Sequence, residues 1–126
     1  MRIDPLEYQR PKTLEEALAV LAERGPEAKV LGGGTDLVAR LKLGIVSPKL
    51  ALDLSGISEL KYVRKEPGVL ALGAATTLRA LEGSPDVAET APALAAEAAS
   101  VASFQIRSVG TLAGHVCLEN RCWFYN

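Results

Sequence analysis

Val30-Leu31-Gly32-Gly33-Gly34-Thr35-Asp36-Leu37 places three consecutive glycines between an apolar strand and a helix. Glycine reaches backbone angles closed to other residues and puts no Cβ between its amide and a ligand, so successive N–H groups can converge on an anion. Thr35 or Asp36 is positioned to cap the following helix, whose first amides add partial positive charge toward the same point. The stretch predicts a strand-loop-helix step and a diphosphate cradle, with a bare strand-to-helix turn as the alternative. No Lys-Ser/Thr pair follows, so it is not a Walker loop, and it lacks the Gly-x-Gly-x-x-Gly of a Rossmann turn.

Working outward, Ala28 to Leu31 is expected as a buried strand and Leu37 to Leu43 as the next helix, stopped by Gly44. Upstream, Tyr8 to Pro11 reads as an extended entry and Thr13-Leu14-Glu15-Glu16 as a capping box. The helix it opens has Leu14, Ala17, Leu18, Leu21 and Ala22 at helical spacing and ends at Gly25-Pro26. Downstream, Leu50, Leu52 and Leu54 alternate with Ala51 and Asp53 as a second strand, in which Asp53 reads as a cap on a neighbouring loop. Lys61 to Arg64 pairs with Val69 to Leu72 across Pro67-Gly68 as a hairpin. From Thr77 the texture turns helical: Thr77 opens one helix, Ser84-Pro85 a second and Pro92 an alanine-rich third. The fold class expected is α+β. A small βαβ-type unit covers residues 1–55, with right-handed crossovers, and the start of a larger mixed domain covers 56–126.

The 126 residues, 48% of them hydrophobic, support one modest core. Fourteen Lys and Arg against 15 Asp and Glu leave a net charge of -1, with no basic field to recruit nucleic acid. No apolar run follows Met1-Arg2-Ile3-Asp4-Pro5, and none elsewhere approaches the roughly 20 residues that span a bilayer, so a soluble, cytoplasmic protein is expected. The two cysteines, Cys117 and Cys122, would close only a short disulfide loop. In a reducing compartment they read as metal ligands or idle thiols. Ala93, Ala95, Ala96, Ala98, Ala99 and Ala102 predict a closely packed helix face, or a face on which a bulky cofactor lies flat.

A second glycine-bearing segment runs Gln105-Ile106-Arg107-Ser108-Val109-Gly110-Thr111-Leu112-Ala113-Gly114-His115. Gripping a dinucleotide diphosphate from two sides takes two backbone-exposed segments. This pair of segments, with Gly73-Ala74-Ala75-Thr76-Thr77 between them, resembles the FAD-binding subunit of the molybdenum hydroxylases, the group containing xanthine dehydrogenase and carbon monoxide dehydrogenase. The resemblance implies that Gly32, Gly33, Gly34, Thr35, Asp36 and Leu37 form a first grip on the FAD diphosphate. Gly110, Thr111 and Gly114 form the second, with Thr77 and His115 also at the cofactor. Where that family has Gly-Gly-Asn, this chain has Ala113-Gly114-His115. From the residues alone, His115 is open to three roles: a backbone-bonded loop histidine, a flavin or diphosphate contact, or a metal ligand. Arg107 reads equally as a diphosphate or partner contact and as a tie between its loop and a carboxylate.

The tail Val116-Cys117-Leu118-Glu119-Asn120-Arg121-Cys122-Trp123-Phe124-Tyr125-Asn126 further resembles the flavin subunit of 4-hydroxybenzoyl-CoA reductase, whose branch carries an inserted four-iron four-sulfur cluster. That resemblance implies Cys122, and then Cys117, as cluster ligands completed by residues outside this chain, because such a cluster takes four thiolates. A zinc site from His115, Cys117 and Cys122 would lack a fourth ligand. The run of three aromatics at the end is expected to mark an interrupted protein, with a separate chain or a lost segment supplying the rest. The implied function is an FAD electron relay in an oxidoreductase, working with a molybdenum-cofactor subunit and an iron-sulfur subunit. No residue of this chain reads as a catalytic acid, base or nucleophile. The alternative is a truncated non-catalytic module that binds an anion or a partner chain without holding FAD.

Overall fold

The computed structural model describes residues 3–119 and Phe124. Three parallel strands, β1 (Glu7–Gln9), β2 (Ala28–Leu31) and β3 (Leu50–Asp53), form a sheet in the order β1-β3-β2. The register sets Tyr8 opposite Ala51 and Val30 opposite Leu52. Two neighbours bury the central strand throughout, and Leu50 and Leu52 have no exposed surface at all. β2 lies at an edge, so Lys29 and Val30 are exposed, which corrects the expectation of a buried strand.

Helix α1 (Leu14–Arg24) connects β1 to β2. The Thr13 hydroxyl accepts from the Glu16 amide at 3.2 Å. The reciprocal bond of the capping box is shifted by one residue, because the Glu16 carboxylate accepts from the Lys12 amide at 2.7 Å. The buried stripe is also rotated from the one expected. Ala17 is buried and Val20 and Leu21 pack with it against Leu52 and Ile57, whereas Leu14, Leu18 and Ala22 are exposed. Helix α2 (Leu37–Lys42) connects β2 to β3 and stops before Gly44, whose φ of +69° a side chain would disfavour. Leu54 does not extend β3. The Asp53 carboxylate accepts from the Ser55 amide at 2.8 Å and turns the chain into a short 3₁₀ segment. Asp53 thus caps the loop that directly follows β3, and also accepts from the Tyr8 hydroxyl of β1.

The second part begins with the hairpin of β4 (Val63–Glu66) and β5 (Val69–Leu72), with Gly68 of its two-residue turn at φ +76°. Five short helices follow: α3 (Leu78–Glu82), α4 (Pro85–Thr90), α5 (Pro92–Ser100), α6 (Phe104–Val109) and α7 (Leu112–Val116). Hydroxyls of Thr77, Ser84, Ser103 and Thr111 each accept from an amide in the first turn of α3, α4, α6 and α7 respectively. Leu78, Leu81, Val87 and Ala98 form a core that receives Val63, Leu70 and Leu72 from the hairpin. Only Ala98 of the alanine series is fully buried; Ala93, Ala96, Ala99 and Ala102 face solvent. The fold is mixed α+β, and no described helix is long and apolar enough to cross a membrane.

Candidate functional site

The glycine segment after β2 forms one wall of a cavity of about 470 Å³. Gly32 to Leu37 all line it, opposite Thr111, Ala113 and Gly114, with Ala74 and Ala75 between. That volume lies within the roughly 300–1,000 Å³ of small-molecule sites.

The three glycines serve different needs. A Cβ on Gly33 would lie 1.8 Å from the Val109 carbonyl oxygen, so here the two segments touch backbone to backbone. A Cβ on Gly32 would come within 2.7 Å of the Thr111 hydroxyl oxygen. Gly34 has φ +75° and turns the chain into α2. Val38 and Arg40 donate back to the carbonyls of Gly34 and Asp36. Among the described residues, the amides of Gly32, Gly33, Gly34 and Thr35 have no backbone acceptor. Four consecutive donors beside a cavity are what an anion's oxygens would use.

The expected helix cap is not formed. Asp36 is at the N-cap position of α2 but has helical angles, φ -106° and ψ -54°, and its side chain makes no capping bond. Its carboxylate instead lies 4.0 Å from the Arg40 guanidinium, one turn along the helix. With six residues, α2 adds little dipole of its own.

The second segment is not a loop but two helices meeting at Gly110-Thr111. Its amides at Gly110, Leu112, Ala113, Gly114 and His115 are already engaged. Gly110 donates to Ile106 at 2.7 Å, Leu112 to Thr76 at 2.8 Å, Ala113 to Ala74 at 3.0 Å and His115 to Thr111 at 3.1 Å. The Gly114 amide donates to the Thr111 hydroxyl at 3.2 Å. This wall therefore contributes Thr111 and a close-fitting surface rather than a row of vacant donors. Thr77 stands behind it, pairing with Thr111 as an antiparallel bridge. His115 does not line the cavity; its Nδ1 lies 3.3 Å from the Thr111 carbonyl oxygen, the backbone contact that was one of its three readings. Arg107 donates through Nε to Glu82 at 2.9 Å and through Nη1 to the Val101 carbonyl at 3.1 Å, and so ties α6 to α3.

Cys117 is exposed and lines the cavity, whereas Cys122 lies outside the described residues. Among the described residues, no three His, Cys, Asp or Glu side chains are grouped to hold a metal ion. Sequence reasoning missed the charged part of the wall, Lys29, Arg40 and Glu119. The spacing of Asp36 and Arg40, four apart on one helix, was the available signal for Arg40. Nothing local pointed to Glu119, which reaches Arg40 from the far end of the described chain.

Residues 4–122 match the family described as FAD binding domain in molybdopterin dehydrogenase. The chain is 37% identical over 110 residues to the carbon monoxide dehydrogenase medium chain of Hydrogenophaga pseudoflava, an alignment covering 87% of this chain and 38% of that protein. It is 37% identical over 117 residues to caffeine dehydrogenase subunit beta of Pseudomonas sp. (strain CBB1), covering 93% and 40%. The solved carbon monoxide dehydrogenase from Hydrogenophaga pseudoflava, a form lacking the Mo-pyranopterin moiety of its molybdenum cofactor, superposes with a TM-score of 0.89. Identity there is 36%, with 92% of this chain and 40% of that one covered. Quinoline 2-oxidoreductase from Pseudomonas putida 86 gives a TM-score of 0.86 at 34% identity, covering 90% and 40%. The chain spans 38–40% of the length of the two sequence relatives.

Proposed function

The chain belongs to the family of FAD-binding domains of molybdopterin dehydrogenases, and on that footing we propose that its glycine-walled cavity holds the diphosphate of FAD. The observation that carries this reading is the row of amides from Gly32 to Thr35, four donors without backbone acceptors among the described residues, beside a cavity. The fit is supported by the close contact at Gly33, which fixes the row in place before any ligand arrives. In this reading Gly32, Gly33, Gly34 and Thr35 donate to the diphosphate. Asp36 and Leu37 continue the wall, while Thr111 and Gly114 close the opposite side. Gly110, Thr77 and His115 act behind the wall by holding its backbone.

When bound, FAD supplies reversible electron transfer, and the residues of this chain bind and orient it. The larger assembly in this reading is an oxidoreductase in which a molybdenum-cofactor subunit transforms the organic substrate and an iron-sulfur subunit passes electrons to the flavin. The narrower reading, a 4-hydroxybenzoyl-CoA reductase-like subunit with its own four-iron four-sulfur cluster, rests on the sequence of the Cys117 to Asn126 tail. It is tested by the iron content of Cys122→Ser after anaerobic reconstitution.

Titration of the chain with FAD, ADP and riboflavin tests the diphosphate assignment. FAD and ADP are expected to compete for one site and riboflavin, which has no phosphate, to bind at least about tenfold more weakly. Riboflavin binding as well as FAD would overturn the assignment. No binding of either phosphate ligand would favour the non-catalytic module.

A further inference from the structure

The cavity carries a charged pair that the amide row does not account for. Arg40 lines it from α2, with 15% of its side chain exposed. Its Nη2 is ion-paired with Glu119, and its Nη1 lies 4.0 Å from Asp36. Its Nε is buried and has no hydrogen-bond partner among the described residues. A desolvated donor without an acceptor is costly, and guanidinium is built to give two parallel bonds from one edge. Glu119 takes only one of them. The Glu119 side chain is 60% exposed, so water can receive it at little cost, whereas Arg40 has no such exit.

We infer that Arg40 is an anion-holding residue of the cavity and that Glu119 is its resident competitor, a carboxylate that the phosphate of a nucleoside diphosphate displaces. The inference rests on the diphosphate reading of the cavity. Among the described residues, Lys29, Asp36, Arg40 and Glu119 are the charged ones lining the cavity, two of each sign, so their formal charges cancel with Glu119 in place. An entering diphosphate would repel Glu119, and its departure leaves the wall one positive charge in excess. A phosphate oxygen can take the Nη2 bond that Glu119 gives up, and a second can accept from Nε. The exchange makes the site selective for phosphate-bearing ligands: a neutral ligand has nothing with which to replace the Glu119 carboxylate.

The test is a double-mutant cycle read by calorimetric titration with ADP, with riboflavin as the uncharged control. Glu119→Gln is expected to bind ADP about three- to tenfold more tightly than wild type, with riboflavin unchanged. Arg40→Gln is expected to weaken ADP by about tenfold or more, and adding Glu119→Gln to it should restore nothing. Because Glu119 is largely exposed, its variant keeps the fold even if Arg40→Gln does not, and circular dichroism checks both. Wild-type ADP affinity in Glu119→Gln, or an equal gain with Arg40 already replaced, overturns the competitor role. If Gly33→Ala abolishes ADP binding while Glu119→Gln leaves it unchanged, the diphosphate site stands and this inference alone fails. If no variant binds ADP, both fail.

Discussion

At position 33 a single methyl group has nowhere to go. A Cβ there would meet the Val109 carbonyl oxygen at 1.8 Å, and backbone cannot swing aside as a side chain can. Gly33→Ala is therefore expected to cost about 1–3 kcal/mol or more, read by denaturant unfolding, and to remove ADP binding with it. Gly25 is the control: it has φ -48°, and a Cβ placed on it would have nothing within 4 Å. Gly25→Ala should be neutral or stabilising by about 0.4–1 kcal/mol, because it restricts the unfolded chain. Asp53 gives a pH-dependent counterpart. Burial pushes its pKa up, but hydrogen bonds from the Tyr8 hydroxyl and Ser55 and the nearby Arg10 charge outweigh this, so the net value lies below the ordinary 3.8. The native state thus binds fewer protons at this carboxyl than the unfolded chain. The stability it contributes is complete above the unfolded value and is lost as pH falls through the lowered native one. Thermal melts from neutral to acid pH should show wild type more stable than Asp53→Asn by about 1–2 kcal/mol at neutrality, with the gap closing in acid.

Among the elements, α1 shows how a local signal and a distant partner share one helix end. Thr13 and Glu16 bond amides at the start of α1, but the Leu14 amide donates to Glu59 at 3.0 Å, a residue 45 positions away. Thr13→Ala is expected to cost about 1 kcal/mol in chemical denaturation, the usual loss for an N-cap hydroxyl. The helix-corner-helix of α6 and α7 is the element most altered from its expected form. Its glycines suggested a second open loop, yet Ser103 and Thr111 are extended caps that start helices on either side of Gly110. The Ala113 amide at that corner is already bonded to the Ala74 carbonyl.

For the whole molecule, the position of β3 between two parallel neighbours makes it the strand whose amides should exchange most slowly. Hydrogen exchange is expected to rank Leu50 to Leu52 above both β1 and β2, since opening it breaks two ladders at once. The cavity, at about 470 Å³, is large enough for a diphosphate and one flanking group but small for a dinucleotide with both ends enclosed. The isolated chain should therefore bind ADP and FAD within about threefold of each other by calorimetry. FAD binding more than about a hundredfold tighter than ADP would show that the isoalloxazine end is also held by these residues.

The glycine run, the Thr13, Thr77 and Ser84 caps, the Pro67-Gly68 hairpin and the α+β order were legible in the sequence because each is a local matter. Three glycines permit a tight turn wherever they stand, and a Thr or Ser before a helix finds its amide within three residues. The family was legible for a related reason: its segments recur in order along the chain. What the sequence could not contain was the reason Gly33 must be glycine, which is the Val109 carbonyl 76 positions away. Nor did periodicity tell which stripe of α1 would be buried, because Leu14 and Leu18 fit helical spacing as well as Val20 and Leu21 do. Only packing against Leu52 and Ile57 chose between them. The difference between the two cavity walls, one with vacant amides and one with amides spent on Thr76, Ala74 and its own helix, was likewise decided by tertiary structure. Hydrogen bonds between distant segments determine which donors remain for a ligand, and no local pattern records them.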